Sequence, residues 1–209
     1  MKPTVVVDVG NSRIKWGRCT EGRVAAMAAL SHDDEPAWQR QLDDWQIAPR
    51  SSWAVSGVHP QARAKLVHWL QRRGETVVVL ESYHQLLLKA IAVDHPEQVG
   101  LDRLLNAVAV DAVRAPDAAA IIIDAGTAVT VDYVDAAGVF WGGAILPGLR
   151  LMAKALHDYT ALLPLVSVDE RVEPPGTNTE AALQTGIFHA VLGGVEQLVL
   201  ELMTRSDGT

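Results

Sequence analysis

The chain of 209 residues contains a single cysteine, Cys19. One cysteine can form neither an internal disulfide nor a cysteine-based metal centre, so a disulfide-stapled scaffold and a zinc finger are excluded. No apolar run approaches about 18 residues without a charge, which argues against a membrane span. The N-terminus enters a strand pattern directly and lacks the pattern of a signal peptide. These absences predict a cytoplasmic protein with no membrane partner.

Basic residues are also scarce: 18 Lys and Arg stand against 25 Asp and Glu, and the net charge is −7. They form no block along the chain. Because binding to nucleic acid needs clustered Lys and Arg to neutralise phosphates, the sequence predicts no nucleic-acid partner. Aromatic residues make up only 5%, but the hydrophobic fraction of 49% supplies core for one large domain or two small ones.

Residues 5–15, with the sequence V-V-V-D-V-G-N-S-R-I-K, are the most informative segment. The β-branched run predicts a buried strand, and Gly10-Asn11 favours a hairpin turn. Asp8 interrupts the apolar run, and a carboxylate in a buried strand is costly unless it binds something. Two interpretations follow: a phosphate cradle with a metal-binding carboxylate on its rim, or an ordinary hairpin with one polar strand position.

Hydrophobic periodicity predicts alternating strands and helices through the first half of the chain. The predicted strands are residues 4–9, 12–18, about 23–30, 52–58 and 76–80. The predicted helices are 33–45, 59–73 and a helix that starts near Gly100 and ends at Ala115-Pro116. This alternation indicates an α/β layered fold.

The opening pattern recurs at residues 119–130, where another β-branched run meets Asp124, a small residue, a glycine and a hydroxyl. Strands at 129–134 and 139–146 then echo the first three strands. We therefore predict a tandem pair of related domains, 1–114 and 115–209, the second apparently shortened at its end. Two Asp-x-Gly turns facing each other across a cleft could grip the phosphates and metal of one nucleotide.

Other residues are assigned structural roles. The tryptophans Trp38, Trp45, Trp53 and Trp69 are predicted to pack in the core or an interface. The histidines His59, His68 and His84 lack metal-ligand spacing. Close packing is expected to compensate for the glycines of the last helix, Gly186, Gly193 and Gly194.

Six motifs occur in order along the chain. They are Asp8-x-Gly-Asn11-Ser12-x-x-Lys15, Ser56-x-Val58-x-Pro60, Gly100-x-Asp102-Arg103, Asp124-x-Gly126-Thr127-Ala128-x-Thr130, Gly142-Gly143-x-Ile145-x-Pro147-Gly148 and Gly176-x-Asn178-Thr179. Together they strongly resemble the type III pantothenate kinases, members of the actin-like, sugar-kinase-like ATPase superfamily. The resemblance implies an α/β fold of two ribonuclease H-like domains with the active site in the cleft between them.

The resemblance also implies a function. The enzyme would use ATP to phosphorylate pantothenate to 4'-phosphopantothenate, which is the first step of coenzyme A biosynthesis. It would be a cytoplasmic homodimer that needs Mg²⁺ and a monovalent cation, K⁺ or NH₄⁺. Two rival functions are a non-catalytic regulator on the same fold and an actin-like-fold kinase or phosphohydrolase with another substrate.

Site residues follow from the same resemblance. The ATP-binding set is Asp8, Val9, Gly10, Asn11, Ser12, Arg13, Ile14, Lys15, Gly126 and Thr127. Asp8 would hold Mg²⁺ and Asp124 the monovalent cation. The substrate-binding set is Gly100, Leu101, Asp102, Arg103, Thr179 and Val93. Asp102 would be the general base, and Arg103 would pair with polar groups of the substrate.

Simpler interpretations remain for four of these residues. Asp102 could be an acid at a helix start with Arg103 as a neighbouring surface cation. Lys15 could be an ordinary solvated strand residue. Thr179 could be a helix N-cap, a role that is compatible with substrate contact.

The chain departs from the family pattern at two places. Val93 stands where the family usually has a tyrosine that contacts pantothenate, and His95 stands where asparagine is usual. The chain also reaches Thr209 without the Thr-Gly-Gly turn that the family commonly has near the nucleotide. We therefore expect an altered substrate wall and a more open nucleotide pocket with loose adenosine binding.

Overall fold

A computed structural model describes residues 2–206 of the chain. The strands are β1 (Val5–Val9), β2 (Ile14–Thr20), β3 (Arg23–Leu30), β4 (Ser52–Gly57), β5 (Thr76–Val79), β6 (Ala90–Ile91), β7 (Ala120–Ala125), β8 (Ala128–Val134) and β9 (Val139–Pro147). The α-helices are α1 (Glu35–Asp44), α2 (Pro60–Arg72), α3 (Leu101–Asp111), α4 (Leu149–Asp158) and α5 (Thr179–Ser206). The predicted departure at Thr209 lies outside the described residues.

The chain divides into two compact units. The first comprises Met1–Leu87 and His95–Leu105, and the second comprises Leu88–Asp94 and Asn106–Thr209. This division differs from the predicted boundary at residue 114, because it runs through α3 and assigns the short strand β6 to the second unit. The predicted α/β class is confirmed, with one sheet in each unit.

The first unit is built on a five-stranded sheet with the order β3-β2-β1-β4-β5. β1, β2 and β3 form an antiparallel meander, whereas β4 and β5 run parallel to β1. This mixed sheet agrees with the ribonuclease H-like fold that the family resemblance implies. β2 begins at Ile14, two residues later than predicted, because Gly10 N–H donates to the Arg13 carbonyl and residues 10–13 are used in the turn.

The core of the first unit is rich in tryptophan, as predicted. Trp38, Trp53 and Trp69 are buried, and Trp45 packs against them. Trp16 lies at the centre, with its ring centroid 5.0 Å from that of Trp53 in an edge-to-face arrangement. Large aromatic side chains bury much apolar area each, so these tryptophans give the first unit a substantial core although the whole chain has few aromatic residues.

The second unit contains a four-stranded sheet with the order β6-β9-β8-β7. β7, β8 and β9 form an antiparallel meander that repeats the β1-β2-β3 arrangement, which confirms the predicted internal repeat. α3 ends at Asp111, before the predicted end near Pro116. Just beyond this end, the Arg114 guanidinium bonds to the Asp111 carboxylate and to the carbonyl of Ala136.

The last helix, α5, has 28 residues. Asn178 caps it, because the Ala181 N–H donates to Asn178 Oδ1 at 2.9 Å; the prediction that Thr179 is the N-cap is wrong by one residue. A Cβ on Gly194 would lie 3.0 Å from Leu146 Cδ2, so this glycine is closely packed. Gly186 and Gly193 face open space, and the prediction of close packing is wrong for both.

By length and composition alone, residues 179–204 of α5 could cross a membrane, with a mean hydropathy of 1.3 in the most apolar window. The absence of a membrane partner therefore stays a prediction. Only 6% of that window is buried.

Candidate functional site

The first predicted turn lies at the end of β1. Asp8 and Lys15 are directly opposite each other in the β1–β2 ladder, and Lys15 Nζ lies 3.7 Å from Asp8 Oδ2. The Asp8 side chain is 39% exposed, so it is a half-buried carboxylate at the edge of the core and not a buried one. Lys15 is thus an exposed strand residue that forms an ion pair with the proposed metal-binding group, and its contact with phosphate stays a prediction.

The backbone of this turn is held from the end of β4. The Val9 carbonyl accepts hydrogen bonds from the N–H groups of Val58 at 3.0 Å and His59 at 3.3 Å. Gly57 has φ +143°, and a Cβ there would lie 2.3 Å from the Val9 oxygen. Only glycine allows the two backbones to come this close, so the end of β4 packs directly against the turn.

Ser56 occupies the position beside Asp8 in the parallel β1–β4 ladder. The residue is 4% exposed, and its hydroxyl has no hydrogen-bond partner in the described structure. A buried hydroxyl without a partner is costly, and this one lies next to the proposed metal-binding carboxylate, where it could serve as an oxygen donor.

The Gly100–Arg103 motif lies in the first unit at the start of α3. Asp102 Oδ1 accepts a hydrogen bond from the Arg103 N–H at 2.9 Å. A Cβ on Gly100 would lie 2.4 Å from Asp102 Oδ1 and 3.7 Å from Val58 Cγ1. The Asp102 carboxylate therefore packs against Gly100. This places it close to Val58, which follows β4 and donates a hydrogen bond to the first turn. The bond to the Arg103 N–H is a local contact in the first turn of α3, made through Oδ1.

The second Asp-x-Gly turn lies in the second unit at the end of β7. Asn106 Nδ2 donates to Asp124 Oδ2 at 3.1 Å. Thr130 is directly opposite Asp124 in the β7–β8 ladder, and its buried hydroxyl has no partner in the described residues. A carboxylate next to an unsatisfied hydroxyl repeats the arrangement of Asp8 and Ser56 in the first unit.

A glycine also supports this second turn. The Gly148 N–H donates to the Thr127 carbonyl at 3.0 Å, and a Cβ on Gly148 would lie 2.3 Å from the Gly126 oxygen. The Pro147-Gly148 motif thus packs on the backbone of the turn. Gly148 thus allows a close backbone approach to the second turn, as Gly57 does at the first turn.

Val93 and Thr179 belong to the second unit. Thr179 is exposed in the first turn of α5. Val93 Cγ1 lies 3.2 Å from the position of a Cβ on Gly142, a residue that lines a cavity of about 420 Å³ between β9 and the end of α5. None of the predicted site residues lines that cavity itself.

No three His, Cys, Asp or Glu side chains gather into a metal cluster within residues 2–206. A nucleotide-borne Mg²⁺ would need no such cluster, because Mg²⁺ keeps several waters and uses one or two carboxylates plus substrate phosphates. The single carboxylate of Asp8 with the unsatisfied Ser56 hydroxyl suits such an ion. The Asp124 carboxylate with the Thr130 hydroxyl offers oxygen donors to a second, weakly bound cation.

Sequence reasoning gave no role to four residues near these turns: His32, Ser56, Asn106 and Thr130. Ser56 and Thr130 each belong to one of the six motifs. Their pairing with Asp8 and Asp124 in neighbouring strands is the signal that could have identified them as site residues. Asn106 and His32 approach their turns only through the tertiary fold, so the sequence carried no local signal for them.

Comparison with known proteins places the chain in a family. A model of the type III pantothenate kinases matches residues 4–201. The chain is 36% identical over 178 residues to the type III pantothenate kinase of Maricaulis maris, covering 83% of this chain and 68% of that protein. It is 34% identical over 203 residues to the type III pantothenate kinase of Alkalilimnicola ehrlichii, covering 95% of this chain and 80% of that protein. For Hyphomonas neptunium the identity is 32% over 208 residues, covering 93% and 80%.

Solved structures with a similar backbone include a Ppx/GppA family member from Aquifex aeolicus, with 10% identity and a TM-score of 0.36 over 73% of this chain and 53% of that one. The ethanolamine utilization protein EutJ from Carboxydothermus hydrogenoformans has 17% identity and a TM-score of 0.41 over 75% and 56%. The family match over residues 4–201 carries the assignment: this chain belongs to the type III pantothenate kinase family.

Proposed function

We propose that the chain phosphorylates pantothenate with ATP to give 4'-phosphopantothenate, the first step of coenzyme A biosynthesis. The observation that carries the proposal is the pairing, in the first unit, of a glycine-supported turn beside Asp8 with the Asp102 carboxylate near the same strand end. Phosphoryl transfer depends mainly on positioning and charge neutralisation, which are the properties that such a site supplies.

The two turns would bind the nucleotide. Residues 8–15 and the Gly126-Thr127 pair present backbone N–H groups, hydroxyls and one lysine, which are suitable donors for phosphate oxygens. Asp8 and Ser56 are the residues that would hold Mg²⁺, which when bound would supply charge neutralisation at the phosphates. Lys15 would move from its ion pair with Asp8 towards the phosphates.

The second unit would hold the monovalent cation, K⁺ or NH₄⁺. Asp124 supplies a carboxylate whose Oδ2 also accepts from Asn106, and Thr130 supplies a hydroxyl that lacks a partner. Weakly hydrated cations suit such a mixed set of oxygen donors, and binding would satisfy the buried hydroxyl.

Asp102 would act as the general base that orients the substrate hydroxyl and accepts its proton. Arg103 would pair with polar groups of pantothenate through its planar guanidinium. Gly100, Leu101 and Thr179 would complete the substrate contacts, with Val93 in place of the usual tyrosine.

The finer partner assignments belong to the same proposal. We expect a cytoplasmic homodimer, the state that the family resemblance implies. The exposed apolar side chains of α5, Leu192 and Leu200, support burial against another surface. Light scattering of the purified chain in detergent-free buffer tests this, and a monodisperse monomer would contradict it.

The Asp102→Asn variant tests the catalytic assignment. Asparagine keeps the Oδ1 acceptor for the Arg103 N–H but cannot take a proton, so turnover should fall by about 10²- to 10⁴-fold. The melting temperature should stay near the wild-type value. Asp44→Asn, an exposed aspartate at the end of α1, is the matched control and should keep full activity. A near-normal rate for Asp102→Asn would remove Asp102 from the base role.

A further inference from the structure

His32 lies just after β3 and makes a hydrogen bond that no sequence motif predicts. Its Nε2 is 2.9 Å from the carbonyl oxygen of Gly10, the first residue of the proposed phosphate turn. A carbonyl oxygen can only accept, so Nε2 carries the proton. The side chain is half-buried, so water competes less for this bond than it would at an open surface.

The hydrogen bond fixes a peptide group of the turn. The bond between Gly10 and Asn11 is trans, since the cis peptide found in the described residues is Pro174-Pro175. In a trans peptide the C=O and the following N–H point in opposite directions. By holding the Gly10 carbonyl, His32 therefore directs the Asn11 N–H to the opposite side of the turn.

His59 holds the His32 ring in place. The two ring centroids are 4.9 Å apart with a 52° angle between the planes. His59 is itself fixed, because its Nδ1 accepts from the Ala62 N–H at the start of α2 and its own N–H donates to the Val9 carbonyl. The carbonyls of Val9 and Gly10 are thus held by two neighbouring histidines, one through its backbone and the other through its ring.

We propose that His32 is a positioning residue for the nucleotide: it orients the Asn11 N–H to receive a phosphate oxygen of ATP. The proposal rests on the proposed kinase function for the location of the phosphate. Preorganised backbone donors bind charge without the free-energy cost of reorientation. Loss of the hydrogen bond between His32 and the Gly10 carbonyl therefore weakens nucleotide binding. The contact requires only a proton on Nε2, which both the neutral Nε2–H form and the charged imidazolium provide.

Two substitutions separate the hydrogen bond from packing. His32→Phe keeps an aromatic ring against His59 but removes the donor. His32→Gln places an amide nitrogen near the position of Nε2 and retains the donor. We expect His32→Phe to raise the KM for ATP and the Kd for a non-hydrolysable MgATP analogue about tenfold, since one hydrogen bond to a preorganised group is lost. The KM for pantothenate and the melting temperature should be unchanged, and His32→Gln should remain within about threefold of wild type.

His68→Gln is the matched control, because His68 is an exposed histidine on α2. Wild-type nucleotide affinity in His32→Phe would overturn the proposal. So would an equal weakening by His32→Gln, or a fall in melting temperature that accounts for the whole effect. Because analogue binding is measured without turnover, a wild-type chain that binds MgATP but does not phosphorylate pantothenate would refute the proposed function and still test His32. A wild-type chain that binds no nucleotide would overturn both.

Discussion

The carboxylate of Asp102 is positioned by the lack of a side chain two residues earlier. A Cβ at Gly100 would lie 2.4 Å from Asp102 Oδ1, well inside contact distance. The Asp102 side chain is flexible and can swing away, so the fold tolerates the change better than the site does. Glycine at position 100 is thus explained by the observed position of the Asp102 carboxylate, which we propose to be the general base.

We predict that Gly100→Ala lowers kcat by about 10²-fold, because displacement of a reacting group by about 1 Å costs that much. The melting temperature should fall by no more than a few degrees. Gly186→Ala serves as a control glycine substitution, since that position in α5 faces open space. A Gly100→Ala enzyme with normal kcat would show that the Asp102 carboxylate does not need its observed position.

Thr130 provides a second test at the scale of one residue. Thr130→Val removes the buried hydroxyl opposite Asp124 while keeping the shape of the side chain. If the hydroxyl binds the monovalent cation, the K⁺ concentration for half-maximal activity should rise about tenfold. The free energy of unfolding should stay equal or increase, because an unsatisfied buried hydroxyl is lost.

The control for this experiment is Thr185→Val, which removes another buried hydroxyl without a described partner, on α5. It should leave the K⁺ dependence unchanged. An identical K⁺ response in Thr130→Val and wild type would place the cation elsewhere.

At the scale of an element, α5 carries three glycines with different surroundings. Gly186 and Gly193 face open space, whereas Gly194 packs on Leu146. Alanine at an open helical position should stabilise by about 0.5–1 kcal/mol, because glycine has more backbone entropy to lose. We predict higher melting temperatures for Gly186→Ala and Gly193→Ala, and no gain or a loss for Gly194→Ala. Equal effects at all three positions would contradict the packing described for α5.

The hairpin between β8 and β9 should be sensitive to acid. Burial alone would raise the pKa of Asp135, but hydrogen bonds from Trp141 Nε1 at 2.7 Å and the Val139 N–H at 2.9 Å hold it below its ordinary value of 3.8. A carboxylate with a lowered pKa stabilises the fold fully above its unfolded pKa, and the contribution is lost as pH falls through the folded value.

Asp135→Asn should therefore be less stable than wild type at pH 7, and the difference should shrink as the pH is lowered below about 4. Thermal melts from pH 7 to pH 2.5 measure this. Asp94→Asn, an exposed aspartate, should leave the pH profile unchanged. A constant difference between Asp135→Asn and wild type across that range would refute the role of the charge.

Over the whole molecule, the features that could be predicted from the sequence are those that depend on the pattern of neighbouring residues. The strand-Asp-x-Gly signal located β1 and β7 and both turns, and the spacing of Trp38, Trp53 and Trp69 located one core. Those features follow from periodicity and turn chemistry, which act over a few residues.

Features set by contacts between distant segments could not be predicted. Gly57 and Gly148 support the turns through approaches that only the folded sheet creates. His32 reaches Gly10 across 22 residues of chain, and Arg114, just beyond the end of α3, bonds to the carbonyl of Ala136. Asn178 replaced Thr179 as the cap because adjacent residues with similar capping ability cannot be separated by propensity alone.

The central claim is that this chain transfers the γ-phosphate of ATP to pantothenate. The most direct measurement incubates the purified chain with γ-labelled ATP, Mg²⁺, K⁺ and pantothenate, and identifies the labelled product by chromatography and mass spectrometry. Parallel reactions replace pantothenate with a sugar or with water, and a further set omits K⁺. We predict label in 4'-phosphopantothenate, little in the sugar or in free phosphate, and a strong dependence on K⁺. Label that appears only in free phosphate or a sugar phosphate, or no transfer at all, would contradict the account.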